Sequence, residues 1–220
     1  MTAQSSEGVA AWESVSPALI RSQVKVALAD TAIGAAKTGL LPGAKAVEAV
    51  SEGLQLHPLV PVVVDPVIGS TSGTRFLDKK GLEALKKLLL PLATVATPNW
   101  PEAEALTGLN VKSLAQAEKA ACALRDQFGC SVLVKGGHGS GTQSIDILAS
   151  KSGLRQFKGP RIDTENTHGT GCVLSAAIAC GLAQKLTLET AVAHARAFLS
   201  KALSENKDAA WGGRGPAFPG

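Results

Sequence analysis

A chain of 220 residues that is 45% apolar and 18% charged, with a mean hydropathy of +0.15, can bury a sizeable core in one domain, and this composition excludes a disordered polymer. Its net charge of +4 comes without a lysine or arginine run, so no nucleic-acid surface is indicated, although an anionic ligand would be compatible. Glycine, proline or charge interrupts each apolar run before it reaches the length of a membrane span. Four cysteines (Cys122, Cys130, Cys172, Cys180), with no C-x-x-C and no secretory signal before them, read as reduced thiols of a cytoplasmic protein.

In chain order, apolar residues at helical spacing behind Ser16-Pro17 predict an amphipathic helix over 16–29, with serine as N-cap and proline in the first turn. Residues 32–41 read as a strand and its exit loop, Lys37-Thr38-Gly39-Leu40-Leu41. A helix over 44–54 precedes a buried strand over 59–64 that ends at Asp65-Pro66. A helix over 77–89 and a strand over 93–97 follow. Then come Pro98-Asn99-Trp100-Pro101-Glu102, a short helix over 103–106 and a longer one over 113–128. The strand 131–135 ends in Gly136-Gly137-His138, segments 144–149 and 155–159 form a hairpin, and helices over 171–183 and 188–203 close the chain. Strands alternating with helices predict right-handed βαβ units and a parallel sheet covered on both faces. With no repeat or linker, residues 1–220 are expected to form a single domain.

In such sheets ligands bind beyond the carboxyl ends of the strands. The polar clusters 37–40, 65–66, 99–102 and 135–138 all fall at such ends and should converge. The stretch Asn166-Thr167-His168-Gly169-Thr170-Gly171-Cys172 joins them: glycines that run straight into an apolar helix present free backbone N–H groups to an anion. Cys172, at the helix start, is placed to act as a base or nucleophile. An anion loop, a lysine, a glycine pair and several carboxylates around one cleft suit phosphoryl transfer, which rests mainly on positioning and charge neutralisation. Neither a Walker A lysine motif nor the protein-kinase motif set is present.

Each residue also has a plainer reading. Asp65 can cap a turn before proline, Asn99 and Glu102 can cap the helix at Pro101, and Lys135 can be a solvated strand end. His138 and His168 read as loop hydrogen-bonding residues, and no His/Cys spacing suggests zinc. Cys122, Cys130 and Cys180 read as core, while Trp12 and Trp100 either cover the cleft or pack.

Taken together, the motifs resemble the hydroxymethylpyrimidine/phosphomethylpyrimidine kinases of thiamine biosynthesis, in the ribokinase-like superfamily. Arg161-Ile162-Asp163-Thr164, the stretch from Asn166 to Cys172, and Leu174-Ser175-Ala176-Ala177 match the family's C-terminal signature. Thr2-Ala3-Gln4 resembles its Thr-Ala-x-Gln element, Lys37 to Leu41 its Lys-x-Gly-Met-Leu segment, and Val64-Asp65-Pro66-Val67 its Asp-Pro-Val-Met stretch, with Ser72-Gly73 after it. Thr97 to Glu102 resembles Thr-Pro-Asn-x-x-Glu, Val134 to His138 resembles Lys-Gly-Gly-His, and Gly213-Arg214-Gly215-Pro216 resembles the Gly-x-Gly-Pro ending.

The resemblance implies a three-layer α/β/α sandwich with a mainly parallel central sheet and an ATP- and Mg²⁺-dependent kinase of a small pyrimidine, with no membrane partner and with a homodimer as one arrangement. It implies Cys172 as base, the N–H groups of Gly169, Thr170, Gly171 and Cys172 as anion hole, and Lys135 beside the transferred phosphate. Gln4, Leu40, Asp65 and Val67 would border the pyrimidine. Asn99, Lys135, Gly137, Thr167 and Gly171 would border the nucleotide, and Asn99, Glu102 and Asp65 the metal. Pyridoxal kinase is the neighbouring enzyme reading, and a noncatalytic nucleotide- or pyrimidine-binding remnant is another. Family members open with a strand and a Gly-Ser-Asp-x-Ser-Gly-Gly-Ala-Gly loop before the Thr-Ala-x-Gln element. This sequence has neither, so a sandwich missing its first N-terminal strand is expected, with Met1 inside a second strand and one sheet edge exposed.

Overall fold

The computed structural model describes residues 1–5, 8–30, 32–69, 73, 75–139, 141–209 and 215–217. The chain opens with a hairpin, β1 (Thr2–Gln4) against β2 (Val9–Trp12), antiparallel and separate from the main sheet. This corrects the expectation that Met1 lies inside a strand of the central sheet. The hairpin is tied down by the Met1 ammonium on Glu13 O at 2.6 Å and by Trp12 edge-on to Phe76, with ring centroids 6.4 Å apart.

Helix α1 (Pro17–Asp30) starts as its sequence dictates, with Ser16 Oγ accepting from Leu19 N–H at 3.3 Å. Next come β3 (Ala36–Thr38), α2 (Ala44–Gln55) and β4 (Val62–Val64). The expected strand over 59–64 is shorter because Leu59 is 95% exposed, outside the sheet. Helix α3 (Lys79–Ala84), capped by Asp78, runs into a π-helical turn (Leu85–Leu89) and a 3-10 turn (Leu90–Leu92). The wide turn shifts the helix face by one position, so the consecutive Leu89 and Leu90 are both buried. After β5 (Val95–Ala96) come α4 (Trp100–Thr107), α5 (Leu114–Phe128), β6 (Ser131–Val134), β7 (Gln143–Ser150), β8 (Gly153–Pro160), α6 (Thr170–Ala183) and α7 (Leu188–Glu205).

Among the described residues the main sheet has six strands in the order β3-β4-β5-β6-β7-β8. Its first four are parallel, and β7 pairs antiparallel with both neighbours. Period-2 alternation sorts its side chains into two cores. Val62, Val64, Ala96, Val132 and Ile147 pack with α2, α4 and α5 on one face. On the other, Val63, Val95, Leu133, Leu148 and Phe157 pack with α6 and α7. The result is the three-layer α/β/α sandwich expected, with β3 at one edge of the described sheet. Cys130 is buried, but Cys180 is exposed on α6 and does not join the core as expected.

Candidate active site

The carboxyl ends of β4, β5 and β6 and the start of α6 meet around one lysine. Asp65, just past β4, is 2% exposed. Its Oδ1 accepts from Lys135 Nζ at 2.8 Å and Thr97 Oγ1 at 3.3 Å, and its Oδ2 from Ser175 Oγ at 3.4 Å. Glu102 Oε2 lies 3.8 Å from the same ammonium. Burial alone would pull the lysine pKa down, but Asp65 and Glu102 outweigh it and hold the group above its usual range. The ammonium presses on α6: a Cβ added to Gly171 would stand 3.1 Å from Nζ and 3.6 Å from Asp65 Oδ2.

Helix α6 starts from Gly169 as N-cap, at φ 79, a left-handed backbone that favours glycine, and no side chain caps it. Among the described residues the N–H groups of Gly171 and Cys172 have no acceptor, so the positive end of the helix dipole faces outward there. Cys172 is exposed and close enough to Lys135 to add to the raising of its pKa. The loop before it is clamped by Asn166. Its Nδ2 donates to Asn206 O at 2.7 Å and Ala209 O at 2.9 Å, and its Oδ1 accepts from Gly215 N–H at 2.8 Å. His168 pairs through its backbone with Gly215 and Ala217 and brings its ring within 3.4 Å of Gln4 Nε2. The hairpin thus reaches the loop that enters α6.

Asn99 and Glu102 form a capping box on α4: Asn99 Oδ1 accepts from Glu102 N–H at 2.9 Å, and Glu102 Oε2 from Asn99 N–H at 2.7 Å. Burial pushes the Glu102 carboxyl up to about 7, against the opposing pull of Lys135 and the Asn99 N–H. The plainer capping reading of this pair is therefore true of the structure, and it coexists with a position beside Lys135. Behind the lysine, Gly136 N–H donates to Asp146 Oδ1 at 2.6 Å, and the other Asp146 oxygen pairs with Arg196 on α7. A Cβ on Gly136 would lie 1.8 Å from Ile145 O, so only glycine fits.

The structure therefore brings together Asp65, Asn99, Glu102, Lys135, Gly169, Thr170, Gly171 and Cys172, and sets Gln4 at the adjoining loop. Leu40 and Val67 are half-buried on the segments leaving β3 and β4, outside these polar contacts. Thr167 is exposed, and Gly137 has open space where a side chain would be. Ser72, Gly213, Arg214 and the His138 side chain lie outside the described residues. Sequence reasoning assigned no role to Thr97 or Ser175, although both stand in its motifs; Ser175, three residues after Cys172, shares its helix face. It missed Asp146 and Arg196. A concavity of about 1050 Å³ lined in part by Arg125, Cys130, Lys151 and Thr187 lies at the opposite, amino end of the strands. None of the converging groups lines it.

The sequence profile of a family described as phosphomethylpyrimidine kinase matches residues 1–217. The chain belongs to this phosphomethylpyrimidine kinase family. It is 40% identical over 205 residues to the hydroxymethylpyrimidine/phosphomethylpyrimidine kinase of Streptomyces coelicolor, covering 93% of this chain and 75% of that one. The enzyme of the same name from Rhizobium meliloti is 39% identical over 218 residues, covering 98% and 82%. The family member also matches a thiamine biosynthesis bifunctional protein of Geobacter sulfurreducens, 38% identical over 203 residues, which make up 92% of this chain but 41% of that longer protein. Among solved structures, the phosphomethylpyrimidine kinase of Clostridium difficile superposes with a TM-score of 0.80 at 31% identity, covering 92% of this chain and 83% of that one. An ADP complex of Bacillus subtilis pyridoxal kinase gives 0.78 at 30%, covering 84% and 70%. The ribokinase-like fold read from the motifs is the fold these kinases share.

Proposed function

We propose that this chain transfers the γ-phosphoryl group of ATP to the hydroxymethyl oxygen of 4-amino-5-hydroxymethyl-2-methylpyrimidine, and then a second to the monophosphate, in thiamine biosynthesis. The observation that carries the reading is the Lys135 ammonium, held at 2.8 Å by Asp65 directly beneath the uncapped N-terminus of α6. A fixed cation and outward N–H groups on one side of a cleft stabilise charge on a phosphoryl group in flight.

In this reading Cys172 takes the hydroxymethyl proton. The oxygen forms its bond to the γ-phosphorus as the bond to ADP breaks. The N–H groups of Gly169, Gly171 and Cys172, joined by that of Thr170 once it leaves Thr167 O, donate to the transferring oxygens, and Lys135 stays protonated throughout. Gln4, on the hairpin, has the planar amide that an aminopyrimidine edge can pair with, with Leu40, Asp65 and Val67 along the same border. Gly137, Thr167 and Gly171 border the nucleotide.

Asn99, Glu102 and Asp65 would hold Mg²⁺. The fit is in the donor set: two carboxylates and an amide oxygen stand around Lys135, the hard oxygen donors that Mg²⁺ takes. Such an ion would neutralise phosphate charge. No helix among the described residues is long and apolar enough to cross a membrane.

The base assignment is tested by Cys172→Ala: kcat should fall by about 10²–10⁴-fold, with the unfolding midpoint within a few degrees of wild type because the side chain is exposed. An unchanged kcat would remove Cys172 from the chemistry. Pyridoxal kinase is the second reading, favoured by the likeness to the Bacillus subtilis enzyme. A higher kcat/KM for pyridoxal than for the pyrimidine would establish it instead.

A further inference from the structure

The turn that follows Lys135 holds glycines at 136, 137, 139 and 141. A run so rich in glycine has little of its own to fix its shape, and ordering it costs more conformational entropy than ordering any other residue type. One side chain supplies the order. Arg161, the first residue after β8, donates from Nη1 to Gly137 O at 2.8 Å, from Nη2 to Gly139 O at 2.8 Å and from Nε to Gly141 O at 3.0 Å. Its Nη2 also reaches Gly136 O and Gln143 O, each at 3.4 Å. The guanidinium is planar, permanently charged and forked, so it can gather several carbonyls at once as a lysine cannot.

The turn is fenced on two further sides. Asp146 takes the Gly136 N–H, and the Trp100 ring stands 3.5 Å from where a Cβ on Gly139 would be. The open side is at Gly137, where, among the described residues and apart from its chain neighbours, nothing lies within 4 Å of a Cβ position. All peptide bonds among the described residues are trans, so a carbonyl and the N–H that follows it point in opposite directions. With the carbonyls of Gly136 and Gly137 drawn onto Arg161, the N–H groups of Gly137 and His138 face away from it. Neither has an acceptor among the described residues.

We propose that Arg161 is a positioning residue for the nucleotide side of the site: by gathering the carbonyls of Gly137, Gly139 and Gly141 it aims the N–H groups of Gly137 and His138 at the triphosphate of ATP. This rests on the phosphoryl-transfer reading above and extends it to a residue that touches no substrate. The turn follows directly on Lys135, whose ammonium is the fixed cation held by Asp65.

The test measures KM for ATP, KM for the pyrimidine, kcat and thermal midpoint in Arg161→Lys and Arg161→Ala, with Kd for a fluorescent ATP analogue measured on the same proteins. The expected result is a rise of about tenfold or more in KM for ATP and in analogue Kd for both variants. KM for the pyrimidine should stay within about twofold, and millimolar guanidinium should recover part of the loss in Arg161→Ala alone. Unchanged analogue binding overturns the proposal. So does a parallel rise in both KM values with a collapsed midpoint, or failure of both variants to fold, since each marks a merely structural arginine. A wild type that binds the analogue but transfers no phosphate defeats the phosphoryl-transfer reading, while the variant series still decides the role of Arg161.

Discussion

Glu102 carries two demands that pull against each other. As the N3 residue of a capping box it is buried with one oxygen on the Asn99 N–H, yet its carboxyl sits 3.8 Å from an ammonium already engaged by Asp65. Burial, the largest influence, raises its pKa from 4.5 to about 7. The folded protein therefore holds this proton more tightly than the unfolded chain does. The associated stability is fully present below about pH 4.5, is lost as pH rises toward 7, and is gone above it. We predict that the ligand-free protein loses about 2–3 kcal/mol of unfolding free energy from this group between pH 5 and pH 8. Glu102→Gln, which keeps an acceptor for the cap, should flatten that slope and stabilise the protein at pH 8. Denaturant titrations at the two pH values check it, and an identical slope in the variant would contradict it. The sequence offered both the capping and the metal reading of Asn99 and Glu102 and could not choose, because the same oxygen types at the same spacing serve both. The burial that makes Glu102 unusual is a tertiary property, which no local pattern encodes.

At the scale of elements, the longer helices and the β7–β8 hairpin were legible because caps and periodicity are local. Ser16-Pro17, Ser113 and the Gly-rich entry to α6 each mark a start that the structure keeps. The β1–β2 hairpin was not legible as such: three- and four-residue strands carry too little pattern to separate from a loop. The pair that braces β7 against α7 was also invisible, since Asp146 and Arg196 lie 50 residues apart. Their side chains are 7% and 13% exposed, and Arg196 also donates to Ser144 O at 3.0 Å. Removing one partner leaves a buried charge unmatched, so Arg196→Leu should cost about 3–5 kcal/mol, read by denaturant unfolding. Asp146→Asn in the Arg196→Leu background should recover part of the loss, because the amide oxygen can still accept from Gly136 N–H. A double variant as unstable as Arg196→Leu would contradict this account of the network.

At the scale of the whole molecule, alternation of strands with helices was enough to foresee that polar residues far apart in sequence meet at one end of the sheet, because a parallel sheet sends all its strand ends to one edge. That is why Asp65, Thr97, Lys135 and the α6 loop, scattered over more than a hundred positions, meet at one lysine. What the order of elements did not reveal is the scaffolding of the site from behind: Asn166 clamped onto the backbone just past the C-terminal end of α7, and Asp146 and Arg161 shaping the glycine turn. These contacts depend on tertiary neighbours rather than spacing. The central claim is that this assembly is a working phosphoryl-transfer site for a hydroxymethylpyrimidine. The purified 220-residue chain, incubated with ATP, Mg²⁺ and 4-amino-5-hydroxymethyl-2-methylpyrimidine and followed by mass, should yield the monophosphate first and the diphosphate after it. A folded chain that turns over neither the pyrimidine nor its monophosphate would contradict the claim.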